Sequence, residues 1–497
     1  MILSLFLFVC FIYILSFSIN CRTRLMLKHL PSYTQIPFLG SMHKFINISG
    51  KKIMQRIEEL SKISDEQGLP FVVWFAYLPV IIISNPDDAK AVAQTFVEKP
   101  YFYNFGKMWL GNGLVTAPAA VWKENIKKIG GTFTRSVVNS YQEVYNAQAR
   151  RLVEELRAHV DKPPFESMHC IAHRTLETIC QTGLGFTDFT DNIVTQEYYD
   201  AFNRSLELIL LRGFNIIYHC DWLYRLSSGY AEMKKQVAVL NSVSDAIIKK
   251  KLQQRQKEKN RNHSNESIQG GKSSFKSFLD ILLDLSENDP TLTEYQIVSE
   301  VNTLIVGGQE TVAVTLFFAF LMIGCHPDVE EKLHAEIMNI LGDKPDVDKD
   351  DLSRMVYCEA VIYETLRMFP PIPTVMRYAD RDLKLDSYTI PRGTTVVLNA
   401  WGSGRSESLW GKQASHFRPE RWLYGEPCMS SCLAFSVSRR SCIGRSYAKA
   451  ILKTMLAHCV REFRFNSDAK NLNIKMDLVL RPISGHLLEV ELRNDSH

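Results

Sequence analysis

The eighteen residues from Ile2 to Ile19 contain no charged side chain and only three serines. At the rise of an α-helix, this run is close to the thickness of the hydrocarbon core of a bilayer. A cleaved signal peptide is the alternative, but the run lacks a basic start and a small-x-small cleavage site, and it exceeds the usual length of such an apolar region. We therefore predict a transmembrane anchor helix over residues 2–19.

Basic residues follow this run at once, at Arg22, Arg24 and Lys28. An excess of Lys and Arg beside a first span is retained on the cytoplasmic side, so the body is expected to face the cytosol. Prolines and a glycine then block regular structure up to residue 40. We predict a basic, proline-containing linker over residues 20–45 and one domain over residues 46–497.

Composition places this body among ordinary globular proteins, with 46% hydrophobic and 23% charged residues. A net charge of +4 is too small to indicate nucleic-acid binding, and eleven cysteines without paired spacing favour a reducing compartment. Apolar residues recur at three- and four-residue spacing over most of the body, whereas β-rich runs are short. We predict a mainly α fold with small β-sheets, and a solvated loop over the polar stretch Gln253–Ser277.

The strongest chemical signal is the string FSVSRRSCIG, which begins at Phe435 and precedes a helical pattern. This order predicts Cys442 at a helix N-terminus, where unpaired N–H groups, the helix dipole and the charge of Arg440 favour a thiolate. A thiolate there could be a nucleophile or a metal ligand. The alternative is a cysteine that serves as a small buried apolar residue.

This string resembles the haem-binding loop F-x-x-G-x-R-x-C-x-G of the cytochrome P450 superfamily of haem-thiolate monooxygenases. Phe435, Arg440, Cys442 and Gly444 match it. The resemblance implies the cytochrome P450 fold, with Cys442 as the axial ligand of the haem iron, and a thiolate ligand favours O–O cleavage. Ser438 replaces the first glycine of the loop, so we expect a strained turn there.

Two shorter strings match the same family in order and spacing. ETLR begins at Glu364 on a predicted helix, and PERW begins at Pro419, about 20 residues before the cysteine loop. In the family, such residues form a buried network that supports the haem loop. By resemblance, Glu364, Arg367 and Arg421 make this network, and the planar guanidinium groups suit its paired hydrogen bonds.

A third match is the string GGQET from Gly307 to Thr311, inside an otherwise apolar helix. Each glycine inside a helix costs about 1 kcal/mol relative to alanine, so some feature should need the space. By resemblance, Thr311 orients water and protons where dioxygen binds and Glu310 helps to relay them, which makes both catalytic. The alternative is ordinary helix packing, with the threonine bonded back to a carbonyl.

The resemblance also indicates which residues contact the haem propionates. Arg440, Arg377 and Trp122 match positions that commonly do so. Ile126 stands where the family's W-x-x-x-R helix carries its arginine, and Lys127 and Lys128 are the neighbouring cations that could compensate.

The strings EVNT from Glu300 and YTIPRGTTVV from Tyr388 look most like the microsomal, animal family-4 branch. This implies a single-pass protein of the endoplasmic reticulum membrane that uses O2 and NADPH-derived electrons. NADPH-cytochrome P450 reductase is the expected donor, with cytochrome b5 as a second candidate. The aromatic segment Tyr101–Leu110 suits a lipophilic substrate, which could be fatty-acid-like, hormone-like or xenobiotic. A rearranging isomerase or dehydratase, and a non-catalytic haem-thiolate protein, remain alternatives.

Some members of that branch carry a helix glutamate that esterifies the haem, and the equivalent position here is Gly307. Because glycine has no carboxylate, we expect non-covalent haem b that acid-acetone extraction removes completely. Haem that stays attached to the peptide after this extraction would contradict the prediction.

Overall fold

The computed structural model describes residues 2–37, 39–46, 48–186, 196–263, 276–424 and 431–493. Most of these residues are helical. The α-helices are α1 Ile2–Leu27, α2 Gly50–Gln67, α3 Pro86–Thr95, α4 Lys107–Leu110, α5 Ala119–Ile129, α6 Arg135–Asn139, α7 Gln142–Arg157, α8 Met168–Ile179, α9 Gln196–Phe214, α10 Asp221–Arg225, α11 Ser228–His263, α12 Phe278–Asn288, α13 Glu294–Ile305, α14 Thr311–Cys325, α15 Pro327–Leu341, α16 Lys349–Arg354, α17 Val356–Met368, α18 Ala400–Arg405, α19 Glu407–Trp410 and α20 Arg445–Glu462.

The strands are short and form small sheets, so the prediction of a mainly α fold with minor β-structure is confirmed. They are β1 Phe71–Phe75, β2 Leu78–Ile83, β3 Thr374–Tyr378, β4 Leu383–Lys384, β5 Thr389–Ile390, β6 Thr395–Asn399, β7 Phe463–Ser467, β8 Asn473–Asp477, β9 Val479–Ser484 and β10 Leu488–Leu492. The largest sheet has the order β1-β2-β6-β3, with β2 and β6 parallel and the other pairs antiparallel. Its edge strand β3 carries Arg377, opposite Val396 of β6.

Local signals explain where several helices begin. The side chain of Asn85 accepts hydrogen bonds from the N–H groups of Asp87 and Asp88, and Pro86 occupies the first turn of α3. Ser277 and Asp280 form a reciprocal capping box at the start of α12. These side chains satisfy N–H groups that have no partner inside the helix, so each helix starts at a defined residue.

Helix α11 extends further than its composition indicates. It continues to His263, so the prediction of a loop is wrong for residues 253–263, and residues 264–275 of that stretch lie outside the described residues. The Lys, Gln, Arg and Glu residues of this stretch have good helix propensity. Arg255 also binds α12, through the carbonyl of Asp280 at 3.0 Å and the carboxylate of Asp284. Tertiary contacts therefore extend a helix that lacks apolar residues.

The central helix of the body runs from α13 through a π-helical turn at Val306–Glu310 into α14. This stretch, Glu294–Cys325, has a length and hydropathy that would allow it to cross a membrane. However, 78% of its most apolar window is buried inside the body, so it is a core helix. It packs against α8, α17 and α20, and thereby joins the elements that carry the three sequence motifs.

Helix α1 covers the predicted anchor, and its described apolar side chains are largely exposed, among them Phe6, Leu7, Phe8, Phe11 and Ile14. The chain that follows lies against the body. The carbonyl of Pro31 accepts a hydrogen bond from the N–H of Val72 in β1 at 2.8 Å, and Leu30, Tyr33 and Phe45 are buried. The described apolar side chains of α1 are therefore mostly exposed, whereas the chain after α1 packs on the sheet.

Candidate active site

The loop before α20 presents the thiol of Cys442. The N–H of Cys442 donates to the carbonyl of Phe435 at 2.8 Å, and the N–H of Ser441 donates to the carbonyl of Ser438 at 3.0 Å. Gly444 caps α20, so Cys442 lies just before the helix N-terminus, as the sequence predicts. A Cβ on Gly444 would lie 3.9 Å from the Cys442 sulfur. The cysteine is exposed, which leaves its sulfur open to a ligand.

Two serines in this loop adopt backbone conformations that favour glycine. Ser438 has φ +64°, so the strain expected from its replacement of glycine is present. Ser436 has φ +55° and ψ −177°, a region that is almost restricted to glycine. The sequence analysis missed Ser436, because the family pattern allows any residue there.

The electrostatics of the thiol differ from the expectation in one respect. Although the side chain of Cys442 is solvent-accessible, the protein around it displaces bulk water and raises its pKa, while the N–H of Gly444 and the charge of Arg445 lower it. Arg445 therefore takes the role that we expected of Arg440. Arg440 points elsewhere, with its guanidinium 4.5 Å from the ring centroid of Trp122.

Glu364 lies at the centre of a fully buried network. Arg367 donates to both oxygens of its carboxylate, at 2.8 and 2.9 Å, and Arg421 donates at 3.0 Å. Trp422 Nε1 and the backbone N–H of Arg418 add bonds of 2.9 and 2.8 Å. The structure thus brings together the three residues predicted to form the network. Through them, α17 holds the chain segment that leads toward the thiol loop.

The two glycines in the core helix have different environments. A Cβ on Gly308 would lie 2.7 Å from the Cδ1 atom of Ile179, so a side chain there would require Ile179 of α8 to move. A Cβ on Gly307 would meet nothing within 4 Å, so this face of the helix borders open space. The hydroxyl of Thr311 donates back to the carbonyl of Gly307 at 2.6 Å. The turn between them is π-helical, a feature that often occurs at functional sites.

Glu310 is buried and is held by a residue far away in sequence. Its Oε1 atom lies 2.6 Å from Nη2 of Arg481 in β9, and the same nitrogen donates to the side chain of Asn203 in α9 at 2.6 Å. Burial raises the pKa of Glu310, while Arg481 lowers it. The carboxylate therefore links the core helix to two other elements. The sequence contained no spacing signal for this contact.

Arg377 and Arg440 lie beside the thiol loop. Arg377 is 1% exposed, yet its Nε and Nη2 atoms have no hydrogen-bond partner among the described residues. Arg440 donates to the carbonyls of Val97, Leu114 and Ala117 at 2.9 to 3.2 Å. A guanidinium has five N–H donors, so Arg440 retains two for another acceptor. Both arginines are thus suited to bind an anion.

The two lysines that could compensate for Ile126 have different surroundings. The ammonium group of Lys128 lies 2.6 Å from Asp289 and 2.6 Å from the hydroxyl of Thr291, so it is already neutralised. Lys127 is exposed on the outer surface of α5. A charge replacing the family's arginine must come from another part of the chain.

These features fit the haem that the sequence resemblance implies. The buried guanidinium of Arg377, with two nitrogens unbonded and no carboxylate at ion-pair distance, favours an anion because an unpaired buried charge is strongly disfavoured. The propionate carboxylates would satisfy Arg377 and the free donors of Arg440, the exposed Cys442 sulfur would bind the iron, and the open space beside Gly307 would admit oxygen or substrate. Each requirement of the cofactor has a matching group in the chain.

Glu300 is a further buried acid that joins three elements near this site. Its carboxylate accepts hydrogen bonds from the N–H of Leu114 and the side chains of Asn125 and Gln296, at 2.9 to 3.0 Å. Burial raises its pKa to about 7, although these donors oppose the shift. The sequence analysis used Glu300 only as part of a family string, because nothing local indicates its partners.

The chain is similar to known proteins over most of its length. A family model described as Cytochrome P450 matches residues 30–490. Cytochrome P450 4c21 of Blattella germanica is 28% identical over 96% of this chain and 95% of its own length. Probable cytochrome P450 312a1 of Drosophila melanogaster is 28% identical over 90% of each chain, and human cytochrome P450 4V2 is 26% identical over 90% of this chain and 86% of its own.

The strained turn at Ser438 gives a stability prediction. Ser438→Gly should stabilise the protein by about 0.5–1 kcal/mol, since a left-handed non-glycine residue costs roughly 1–2 kcal/mol and added glycine entropy offsets part of the gain. We expect a rise on the order of 1–2 °C in melting temperature, followed by circular dichroism. Ser441→Gly is the matched control, because Ser441 has φ −62° and its substitution relieves no strain. Equal responses of the two variants would show that Ser438 is unstrained.

Proposed function

The chain belongs to the cytochrome P450 family of haem-thiolate monooxygenases, and we propose that it is a membrane-anchored member that oxygenates a lipophilic substrate. One observation carries the assignment of the site. The accessible thiol of Cys442 lies at the start of a helix, and Arg377, a buried arginine with two unbonded nitrogens, lies beside its loop. Such a site suits a cofactor that carries both a metal and carboxylates.

We assign the site residues as follows. Cys442 is the iron ligand, while Phe435 and Gly444 shape its loop. Arg377 and Arg440, with Trp122 beneath the latter, bind the propionates. When bound, the haem supplies the activation of dioxygen, which a thiolate ligand favours. Glu364, Arg367 and Arg421 keep the supporting chain in place.

Thr311 and Glu310 are proposed to control protons on the other side of the site. The Thr311 hydroxyl can turn from the Gly307 carbonyl toward the open space and donate there. Glu310 is held by Arg481 and must loosen this ion pair before it can pass a proton to Thr311 or to water. Its pKa is raised by burial and lowered by Arg481, so the ion pair sets how readily it takes up a proton.

Aromatic side chains support a lipophilic substrate. Phe102 and Phe105 lie 6.0 Å apart, and Phe102 lies 6.5 Å from Phe75 of β1. Phe214, at the end of α9, lies 6.1 Å from Phe75. Together these rings form a continuous apolar wall between the sheet and α9. We propose that the wall guides an apolar guest, without selecting among fatty-acid-like, hormone-like and xenobiotic molecules.

Exposed cations near the thiol loop support delivery of electrons by a separate protein. Arg439 and Arg445 are exposed on the loop, and Lys123 and Lys127 are exposed on α5, which carries Trp122. An acidic flavoprotein would be attracted to this surface. We propose NADPH-cytochrome P450 reductase as the donor and cytochrome b5 as a second partner.

The site assignment predicts a specific spectroscopic result. In membranes, the dithionite-reduced protein with carbon monoxide should show a red-shifted Soret band, and Cys442→Ala should abolish it because the thiolate ligand is lost. Cys220→Ala is the matched control and should keep the band, since Cys220 lies outside the site. In the presence of the reductase and a substrate that the enzyme oxidises, the amount of NADPH consumed should equal the amount of oxygenated product formed.

Other outcomes would favour the alternative functions. A thiolate band with product formation but no need for NADPH would indicate a rearranging isomerase or dehydratase. A thiolate band without turnover of any member of a broad lipophilic panel would favour a non-catalytic protein. A band that survives Cys442→Ala would overturn the ligand assignment.

We propose that residues 2–19 anchor the protein in the endoplasmic reticulum membrane, with the linker over 20–45 and the catalytic domain of residues 46–497 in the cytosol. A second apolar surface supports this orientation. Ile217, Trp222 and Leu226, between α9 and α11, are 61–79% exposed. Phe45 stacks on Phe214, 5.6 Å away, so the chain after α1 runs close to this surface. Both apolar surfaces can therefore face one bilayer.

The anchor proposal predicts how the protein partitions. The full chain should resist alkaline carbonate extraction of microsomes, whereas deletion of residues 2–20 should release it, because the remaining contacts lie only at the bilayer surface. Trp222→Ser combined with Leu226→Ser should further weaken binding of the deleted form to lipid vesicles. Release of the full chain by carbonate would contradict a spanning helix.

A further inference from the structure

We infer that Lys99 is the missing cation of the haem site, and that it binds a propionate carboxylate together with Arg377 and Arg440. It would supply the charge that the family places four residues after its tryptophan, where this chain has Ile126. The inference deepens the proposed function and rests on the haem site described there. No motif in the sequence indicates Lys99.

Contacts on two sides of the segment around Lys99 place it between Arg377 and Arg440. Its Nζ atom lies 4.1 Å from the ring centroid of Tyr103, and the Tyr103 hydroxyl accepts a hydrogen bond of 3.2 Å from the N–H of Met376, the residue before Arg377. On the other side, Arg440 Nε donates to the carbonyl of Val97 at 3.2 Å. The segment that carries Lys99 is therefore held between strand β3 and the thiol loop.

Backbone contacts make this placement rigid. The N–H of Tyr378 in β3 donates to the carbonyl of Glu98 at 2.9 Å. The carboxylate of Glu98 accepts from the N–H of Lys99 at 3.2 Å and from the N–H of Ala119 at 2.9 Å. Glu98 thus fixes the backbone of this segment to the start of α5, the helix that carries Trp122 and Ile126.

The chain balances the charges of the cluster only in part, since Glu98 opposes the lowering of the pKa of Arg440 by burial and by Arg377. Over the described ranges, neither Lys99 nor Arg377 has a carboxylate at ion-pair distance, and two nitrogens of Arg377 have no hydrogen-bond partner. Burial, with the nearby charges of Arg377 and Arg440, holds the pKa of Lys99 well below its usual range. Three cations gathered in this way repel one another, and an anion with two carboxylates would reverse that repulsion.

The other cations near Ile126 do not take this role. Lys128 is paired with Asp289, and Lys127 is exposed on α5. A purely structural alternative is that Lys99 only packs over the Tyr103 ring, as a cation–π contact. The two possibilities predict different rates of haem loss when the positive charge of Lys99 is removed and a positive charge is then introduced at position 126.

The test uses the full-length haem-loaded protein and measures transfer of its haem to excess apomyoglobin. Lys99→Met should lose haem about tenfold faster than the wild type, as expected for loss of one charge-assisted contact. Lys99→Arg should stay close to the wild type. Lys127→Met, which removes an exposed lysine on the neighbouring helix, is the matched control and should leave the rate unchanged.

Two further readouts separate a charge effect from a packing defect. The ferric/ferrous midpoint potential of Lys99→Met should become more negative, since loss of a nearby positive charge disfavours uptake of an electron. Adding Ile126→Arg to Lys99→Met should restore most of the haem retention, because residue 126 lies one helical turn from Trp122 on the same face. If Lys99→Met folds poorly, Lys99→Gln is measured in its place.

Unchanged haem loss and unchanged potential in Lys99→Met would overturn the inference, as would faster loss that Ile126→Arg cannot restore. A wild-type protein without a thiolate-type carbon-monoxide band would instead overturn the proposed function itself. The failure of the Lys99 inference can therefore be told apart from the failure of the haem assignment.

Discussion

The buried carboxylate of Glu364 is the interaction on which the arrangement around the thiol depends. It accepts hydrogen bonds from two guanidinium groups, one indole and one backbone N–H, and its side chain is completely buried. Arg367 continues the network through the carbonyls of Ala414 and His416 at 2.7 and 3.0 Å. Removal of one partner would leave a buried charge unpaired, which typically costs about 3–5 kcal/mol. Such a network is strongly held because each member depends on the others.

This rigid support explains how the thiol loop can hold unfavourable backbone conformations. Ser436 and Ser438 both have positive φ, and each costs on the order of 1–3 kcal/mol. A flexible loop would relax, whereas this loop is closed by the hydrogen bond between Cys442 and Phe435 and continues directly into α20. On the opposite side, the π-helical turn before Thr311 is held by packing of Gly308 against Ile179. Strain on both sides is thus balanced by packing of the body.

The sequence predicted the mainly helical class of fold, and its errors in individual elements have physical causes. The start of α3 could be read from Asn85 and Pro86, because a cap acts between neighbouring residues. The length of α11 could not be read from the sequence, since Arg255 gains its partners from α12, about 30 residues away. The ion pair of Lys128 could not be read from the sequence for a similar reason. Its carboxylate partner, Asp289, is distant in sequence, and no local pattern pairs them.

The sequence alone determined the thiol loop, the glycine pair of the core helix and the residues of the Glu364 network. Glu364 and Arg367 lie within one helical turn and the thiol loop is one short segment, so their spacing constrains what they can contact. Arg421 is 57 residues from Glu364, and only the family string indicates it. Only the tertiary structure decided the partners of Glu310 and the position of Lys99. Arg481 reaches Glu310 from a strand near the C-terminus, and Lys99 meets Arg377 through the ring of Tyr103. Contacts between segments more than a hundred residues apart leave no periodic trace, because they depend on how whole elements pack.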